Sequence, residues 1–306
     1  MQYNEDAQLD TSGVQDARGG GFGGFGRGGL ALGGGGLGVA GLVIYLLFAL
    51  IGGGGSGTTD VLGSLDNSGA TADNKQVAAE CKTGKDANEN LDCAVVADID
   101  SIQNFWTAQL PKLGKSYQEV PTVWFTGQVS TGCGAASSGS GPFYCPADKR
   151  VYLDLSFYDD LTTQFGARGG LFVDAYVLAH EYGHHVQDLL GIESKVRSRE
   201  GAKSDSVRLE LQADCYAGVW ANHATTVPDD TGKPLISDVT QDDIDRALDT
   251  AGRIGDDYIQ KNLGSGHIDQ NSFTHGSSAQ REKWFSTGYR TGDPKACDTF
   301  GTDDLG

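Results

Sequence analysis

Two histidines four residues apart, with a glutamate directly after the first, lie within one apolar stretch: His180-Glu181-Tyr182-Gly183-His184. On a helix, residues four apart share a face, so both imidazoles can aim at a single zinc ion. Glu181 then points beside the metal rather than at it, where a general base for a zinc-bound water belongs. The surroundings predict a helix over residues 172–190, with Val173, Tyr176, Val177 and Val186 at helical spacing and Gly191 as a C-terminal stop. Burying unpartnered polar groups costs roughly 1–3 kcal/mol each, so a helix carrying three of them among apolar neighbours needs something to satisfy them. A metal supplies that reason, whereas two histidines on an ordinary helix would leave it unexplained.

Two histidines do not close a catalytic zinc site, which usually has three protein ligands and one open position. A third histidine six residues after His184 is excluded, because Leu190 stands there and Gln187 replaces the glycine such a pattern requires. The other route is a carboxylate from a second helix, and the segment 207–214 provides Glu210 and Asp214, one turn apart on one face. Ser206 is placed to cap this helix, and Leu209, Leu211, Ala213, Ala217 and Trp220 give it apolar surface. Glu210 would be the third ligand. Asp214 would accept a hydrogen bond from the outer nitrogen of a ligand histidine and so fix its tautomer. Taken alone, such an acidic pair is more often a solvated helix face; the histidine helix upstream favours ligation.

These residues resemble a gluzincin metallopeptidase and, more closely in the segments 179–187 and 209–215, the bacterial family of putative neutral zinc metallopeptidases, which are typically membrane-anchored. The resemblance covers most of the chain after about residue 79, together with the apolar segment near the N-terminus. It implies a zinc-dependent endopeptidase acting on a peptide or protein, with one zinc ion on His180, His184 and Glu210 and with Glu181 as general base. It also points to His275, which in gluzincins stabilises the oxyanion of the tetrahedral intermediate, and to Arg281 near it. On residues alone, His275 is equally suited to capping a helix near Ser277, and Arg281 to a structural ion pair. His185 points about 100° away from His184 around the helix and is expected to pack or hydrogen-bond rather than ligate. An inactive zinc-binding scaffold is the alternative, favoured by loss of the base or the third ligand, and neither is missing.

The 306 residues allow one substantial domain with appendages. A net charge of −18 argues against nucleic acid and anionic membrane surfaces as partners. Residues 1–27 are polar and glycine-rich and read as a disordered tail. Residues 28–59 carry no charge, and within them 30–51 has about the ~20-residue length of a membrane helix. Gly34 and Gly38 could pack two such helices into a homo-oligomer. The acidic Glu5, Asp6, Asp10 and Asp16 upstream and the absence of a small-x-small site after Ile51 favour an uncleaved anchor over a signal peptide. Arg18 and Arg27 precede the span and Lys75 is the first lysine after it, so the positive-inside rule predicts a single-pass protein with a cytoplasmic N-terminus and an extracytoplasmic catalytic domain. The expected organisation is thus a tail (1–27), a transmembrane anchor (28–51), a flexible stalk (52–75) and a metallopeptidase domain (76–306).

Six cysteines, all beyond the anchor and none in a Cys-x-x-Cys pair, suit an oxidising compartment. Of the 15 connectivities they allow, two short loops are favoured, Cys81–Cys93 and Cys133–Cys145, leaving Cys215 with Cys297. Periodicity predicts helices at 98–110, 238–262 (with Thr240 and Asp243 as a capping-box variant) and 279–290, and strands at 122–127 and 151–158. The expected fold is α+β: a mostly helical, zincin-like domain with a small sheet, preceded by one transmembrane helix. In gluzincins a strand just before the zinc helix binds the peptide by edge pairing, and residues 151–158 occupy that place.

Overall fold

The computed structural model of the chain describes residues 1–18 and 74–306. Two short strands open it, β1 (Gln2–Tyr3) and β2 (Val14–Asp16). Beyond residue 74 come α1 (Lys75–Glu80), α2 (Gly84–Glu89) and the long α3 (Leu91–Gln109). The strands β3 (Thr122–Trp124), β4 (Gln128–Thr131), β5 (Gly134–Ser137), β6 (Phe143–Cys145) and β7 (Arg150–Leu153) follow. Next are α4 (Ser156–Thr163), α5 (Leu171–Leu190) and α6 (Asp205–His223). Strand β8 (Ile236–Asp238), α7 (Gln241–Arg253) and α8 (Ser278–Thr291) complete the set. The architecture is α+β, as the patterning indicates.

One sheet has the order β2-β3-β7-β6, parallel except for β6, which runs antiparallel at one edge. β1 pairs with β8, and β4 with β5. Helix α5 is the centre of the core: every residue from Phe172 to Gln187 is buried, against α3, α6, α7 and the sheet. Gly183 makes this possible. A Cβ there would lie 3.1 Å from the Ala213 backbone, so glycine lets α5 and α6 approach closely enough for their side chains to share one site. The α6–α8 contact is tighter still, with Gly218 against the backbone of Phe285 and Gly288 against that of Cys215.

Several sequence expectations change here. Residues 1–18 are not a disordered tail: Tyr3, Ala7 and Val14 are buried, and both strands pair with the domain. The strand expected over 151–158 stops at Leu153, because Asp154 accepts hydrogen bonds from the Ser156 backbone (3.1 Å) and hydroxyl (2.9 Å) and turns the chain into α4. Phe157, Tyr158 and Leu161 are then the buried face of a helix. β7 is flanked on both sides, and the edge strand next to α5 is β6. The helix expected at 238–262 ends at Arg253, and the chain restarts in a short turn, Asp256–Tyr258. The cap of α6 is Ser204, whose Oγ accepts from Val207 N, rather than Ser206. The Thr240–Asp243 capping box is present. All three disulfides, Cys81–Cys93, Cys133–Cys145 and Cys215–Cys297, pair as favoured. Among the described residues no helix is long and apolar enough to cross a membrane; the expected anchor at 28–51 and nearly all of the stalk lie outside them.

Asp174, on the first turns of α5, is 9% exposed, and burial together with the nearby Asp159 charge pushes its carboxyl up to about 7. A carboxyl raised in the folded state lends stability that is full below its unfolded value near 4 and is lost as pH rises towards 7. Asp174→Asn should therefore stabilise the protein by ~2–4 kcal/mol at pH 8 and by almost nothing at pH 4. Denaturant unfolding at the two pH values checks this; an equal effect at both would contradict it.

Candidate metal centre

Three side chains from two helices converge. His180 and His184 project from α5 and Glu210 from α6, and one ligand atom of each lies within 4.8 Å of the others. His180 Nε2 is 3.1 Å from Glu210 Oε2, and His184 Nε2 is 3.6 Å from Glu210 Oε1. All three residues are buried, at 8%, 6% and 6% exposure.

Each imidazole is held by its other nitrogen. His180 Nδ1 donates to Asp214 Oδ1 at 2.9 Å, which leaves Nε2 as the nitrogen facing Glu210. His184 Nδ1 donates to the Gln187 amide oxygen at 2.8 Å, and the Gln187 amide nitrogen donates to Leu209 O on α6 at 2.7 Å. Asp214, fully buried, also accepts from the Tyr176 hydroxyl (2.7 Å) and from Nε and Nη2 of Arg281 (both 2.9 Å). Burial would raise Asp214, but the Arg281 and His180 charges bring its carboxyl below the usual range. Arg281 is thereby committed to Asp214, and its remaining Nη1 reaches Ile254 O at 3.4 Å.

The donor set fits a zinc ion. His184 Nε2 is buried without a hydrogen-bond partner and points at the cluster. Burial would lower the His180 imidazole, yet Asp214 and Glu210 raise it to about 10. A positive charge is thus strongly favoured between these nitrogens and the carboxylate, and two imidazole nitrogens with one carboxylate oxygen are ordinary ligands of zinc.

Glu181 lies beside this cluster, 6% exposed, and its Oε2 accepts the Tyr144 backbone N–H of β6 at 3.0 Å. Burial pushes its carboxyl up. His275, from the loop before α8, lines the same pocket as His180, Glu181 and Glu210. Its Nδ1 is 2.7 Å from Thr274 Oγ1. Asp256 Oδ2 accepts the backbone N–H groups of Thr274, His275 and Gly276 at 2.8, 2.7 and 2.9 Å and so fixes the loop. The pocket, open on one side and about 650 Å³ including its mouth, has apolar walls of Pro142, Phe157, Phe165, Val177, Ile254 and Ile259.

His185 faces away from the cluster and bonds Tyr144 and Gln118. The sequence reading missed Tyr176, Gln187, Asp256 and Tyr144. The first two carried a signal, lying four residues before His180 and three after His184 on the same helix. The other two act across long sequence separations, one of them through its backbone, and carried none.

The family model described as "Putative neutral zinc metallopeptidase" matches residues 1–300. The chain belongs to this family. Its similar proteins carry no assigned activity. Uncharacterized protein Rv2575 of Mycobacterium tuberculosis (strain ATCC 25618 / H37Rv) is 50% identical over 230 residues, covering 74% of this chain and 77% of that protein. Uncharacterized protein YpfJ of Escherichia coli (strain K12) is 46% identical over 210 residues, covering 66% and 69%. No solved structure matches the chain.

Gln187→Ala would free the His184 ring, so zinc affinity should fall by about 10–100-fold. Competition against a chelating dye measures it, and an unchanged affinity would show that the amide does not orient the ligand.

Proposed function

We propose that the chain is a zinc-dependent endopeptidase. The observation that carries this reading is the placement of Glu181, a buried carboxylate with no structural partner except one backbone N–H, immediately beside the His180, His184 and Glu210 cluster. A zinc ion held by those three residues would supply Lewis acidity and make a water more acidic, towards roughly pKa 7.

The remaining chemistry belongs to the chain. Glu181 takes the proton of the attacking water and returns it to the leaving amine; burial raises its carboxyl and so makes it a stronger base. His275 donates to the oxyanion that forms as the carbonyl is attacked, from a loop that Asp256 holds in place. Asp214 and Gln187 keep both ligand imidazoles in one tautomer. The apolar walls suit an uncharged side chain next to the scissile bond, since the one cation among them, Arg281, is engaged by Asp214. β7 is paired on both sides, so residues 151–158 offer no edge to a peptide backbone, and the outward N–H of β6 at Tyr144 is taken by Glu181. The uncharged run at 28–59 supports attachment to a membrane. The scaffold alternative lacks a motivating feature, because base and ligands are all present.

Glu181→Gln in the full-length chain should retain zinc and lose turnover by about 10²–10⁴-fold on a mixed peptide library. Wild-type cleavage should stop on chelation and return with zinc. Equal cleavage by the two proteins would remove Glu181 from the mechanism.

A further inference from the structure

On the side of α5 next to the metal-facing side, Glu181, His185 and Asp188 follow one another at helical spacing, and all three meet one residue of the edge strand. Tyr144 gives its backbone N–H to Glu181 Oε2 (3.0 Å) and its single hydroxyl hydrogen to Asp188 Oδ2 (2.8 Å), while His185 packs against the same residue, its Nδ1 3.0 Å from that oxygen. His185 is anchored in turn, Nε2 donating to Gln118 O at 2.7 Å, with its ring between those of Tyr117 and Tyr144. The Tyr144 backbone is thereby fixed in position along the helix by its own side chain.

We infer that Tyr144, His185 and Asp188 are positioning residues for Glu181. They hold the β6 backbone so that one N–H grips one carboxylate oxygen and leaves the other directed at the reacting water. The inference rests on the proposed peptidase reading. The adjacent histidines then serve different ends, His184 binding the metal and His185 steadying the strand that orients the base.

Tyr144→Phe removes only the hydroxyl and keeps both the ring and the backbone N–H. In the full-length chain with zinc restored, kcat should drop about tenfold while KM and zinc stoichiometry stay within twofold. Asp188→Asn should do the same, and the double variant should be no worse than either alone, because both act through one hydroxyl. Unchanged kcat with active wild type, or a change confined to KM, would overturn the assignment. Wild type without zinc-dependent cleavage would instead defeat the peptidase reading itself.

A separate set of contacts bears on topology. Arg18 donates from Nη1 and Nη2 to Asp92 (3.1 and 2.6 Å), packs over the Trp124 ring and also pairs with Asp16. The Tyr3 hydroxyl donates to buried Asp98 at 2.8 Å, and Asp16 N donates to the Asn74 side chain at 2.9 Å. Residues 16 and 74 are thus neighbours, and the two described segments pack as one domain. We propose that residues 1–18 and 74–306 share one compartment. The three disulfides make it an oxidising one. This would replace the expected single-pass topology, which puts residues 1–18 and 74–306 on opposite sides of a membrane and uses Arg18 as a basic residue flanking the span.

All six native cysteines are bonded, so an added one is uniquely reactive. Glu5→Cys and Lys115→Cys, both at exposed positions, should react alike with a membrane-impermeant maleimide on intact cells, with permeabilised cells as the reference. Labelling of one site and protection of the other would overturn the proposal.

Discussion

A single buried carboxylate organises the molecule. Asp214 has no solvent exposure and accepts hydrogen bonds from His180, Tyr176 and Arg281, so it joins α5, α6 and α8 at one point. An unpaired charge at such depth would be prohibitive, and the two-pronged Arg281 contact is what permits it. The orientation of His180, the packing of α8 and the closeness of α5 to α6 at Gly183 all meet the requirement that this carboxylate be fully partnered. The Cys215–Cys297 bond, one residue further along α6, fastens the C-terminal segment beside it. Gln212 strengthens the same junction by donating to Cys297 O at 2.8 Å.

The proposed chemistry draws on this frame without disturbing it. Ligand residues are on two long, fully packed helices, which locate side chains better than loops do. His275, which is no ligand, stands on a loop instead, and that loop is gathered by three backbone N–H groups onto Asp256. One carboxylate thus stiffens the loop as Asp214 stiffens the helices.

The site was largely legible because its spacing is helical: His180, Glu181, His184, Glu210 and Asp214 announce a shared face wherever a helix forms. The cysteine pairing was legible for the same local reason in two loops, and by elimination in the third. The sheet was not. Residues 151–158 alternate like a strand, yet Asp154 hydrogen-bonds its way into a turn and the same residues become a helix face. The first 18 residues were opaque because strands of two and three residues have no measurable period. Their partners stand more than 100 and more than 200 positions away in sequence. Arg18 looked like a charge flanking a span because Asp92 is 74 residues distant.

Those distant partners also order events in time. Residues 2–16 are made well before the strands they pair with, Thr122–Trp124 and Ile236–Asp238. Both strands must therefore wait, unpaired, β1 longer than β2, before closing loops of great length, the slowest class of contact to form.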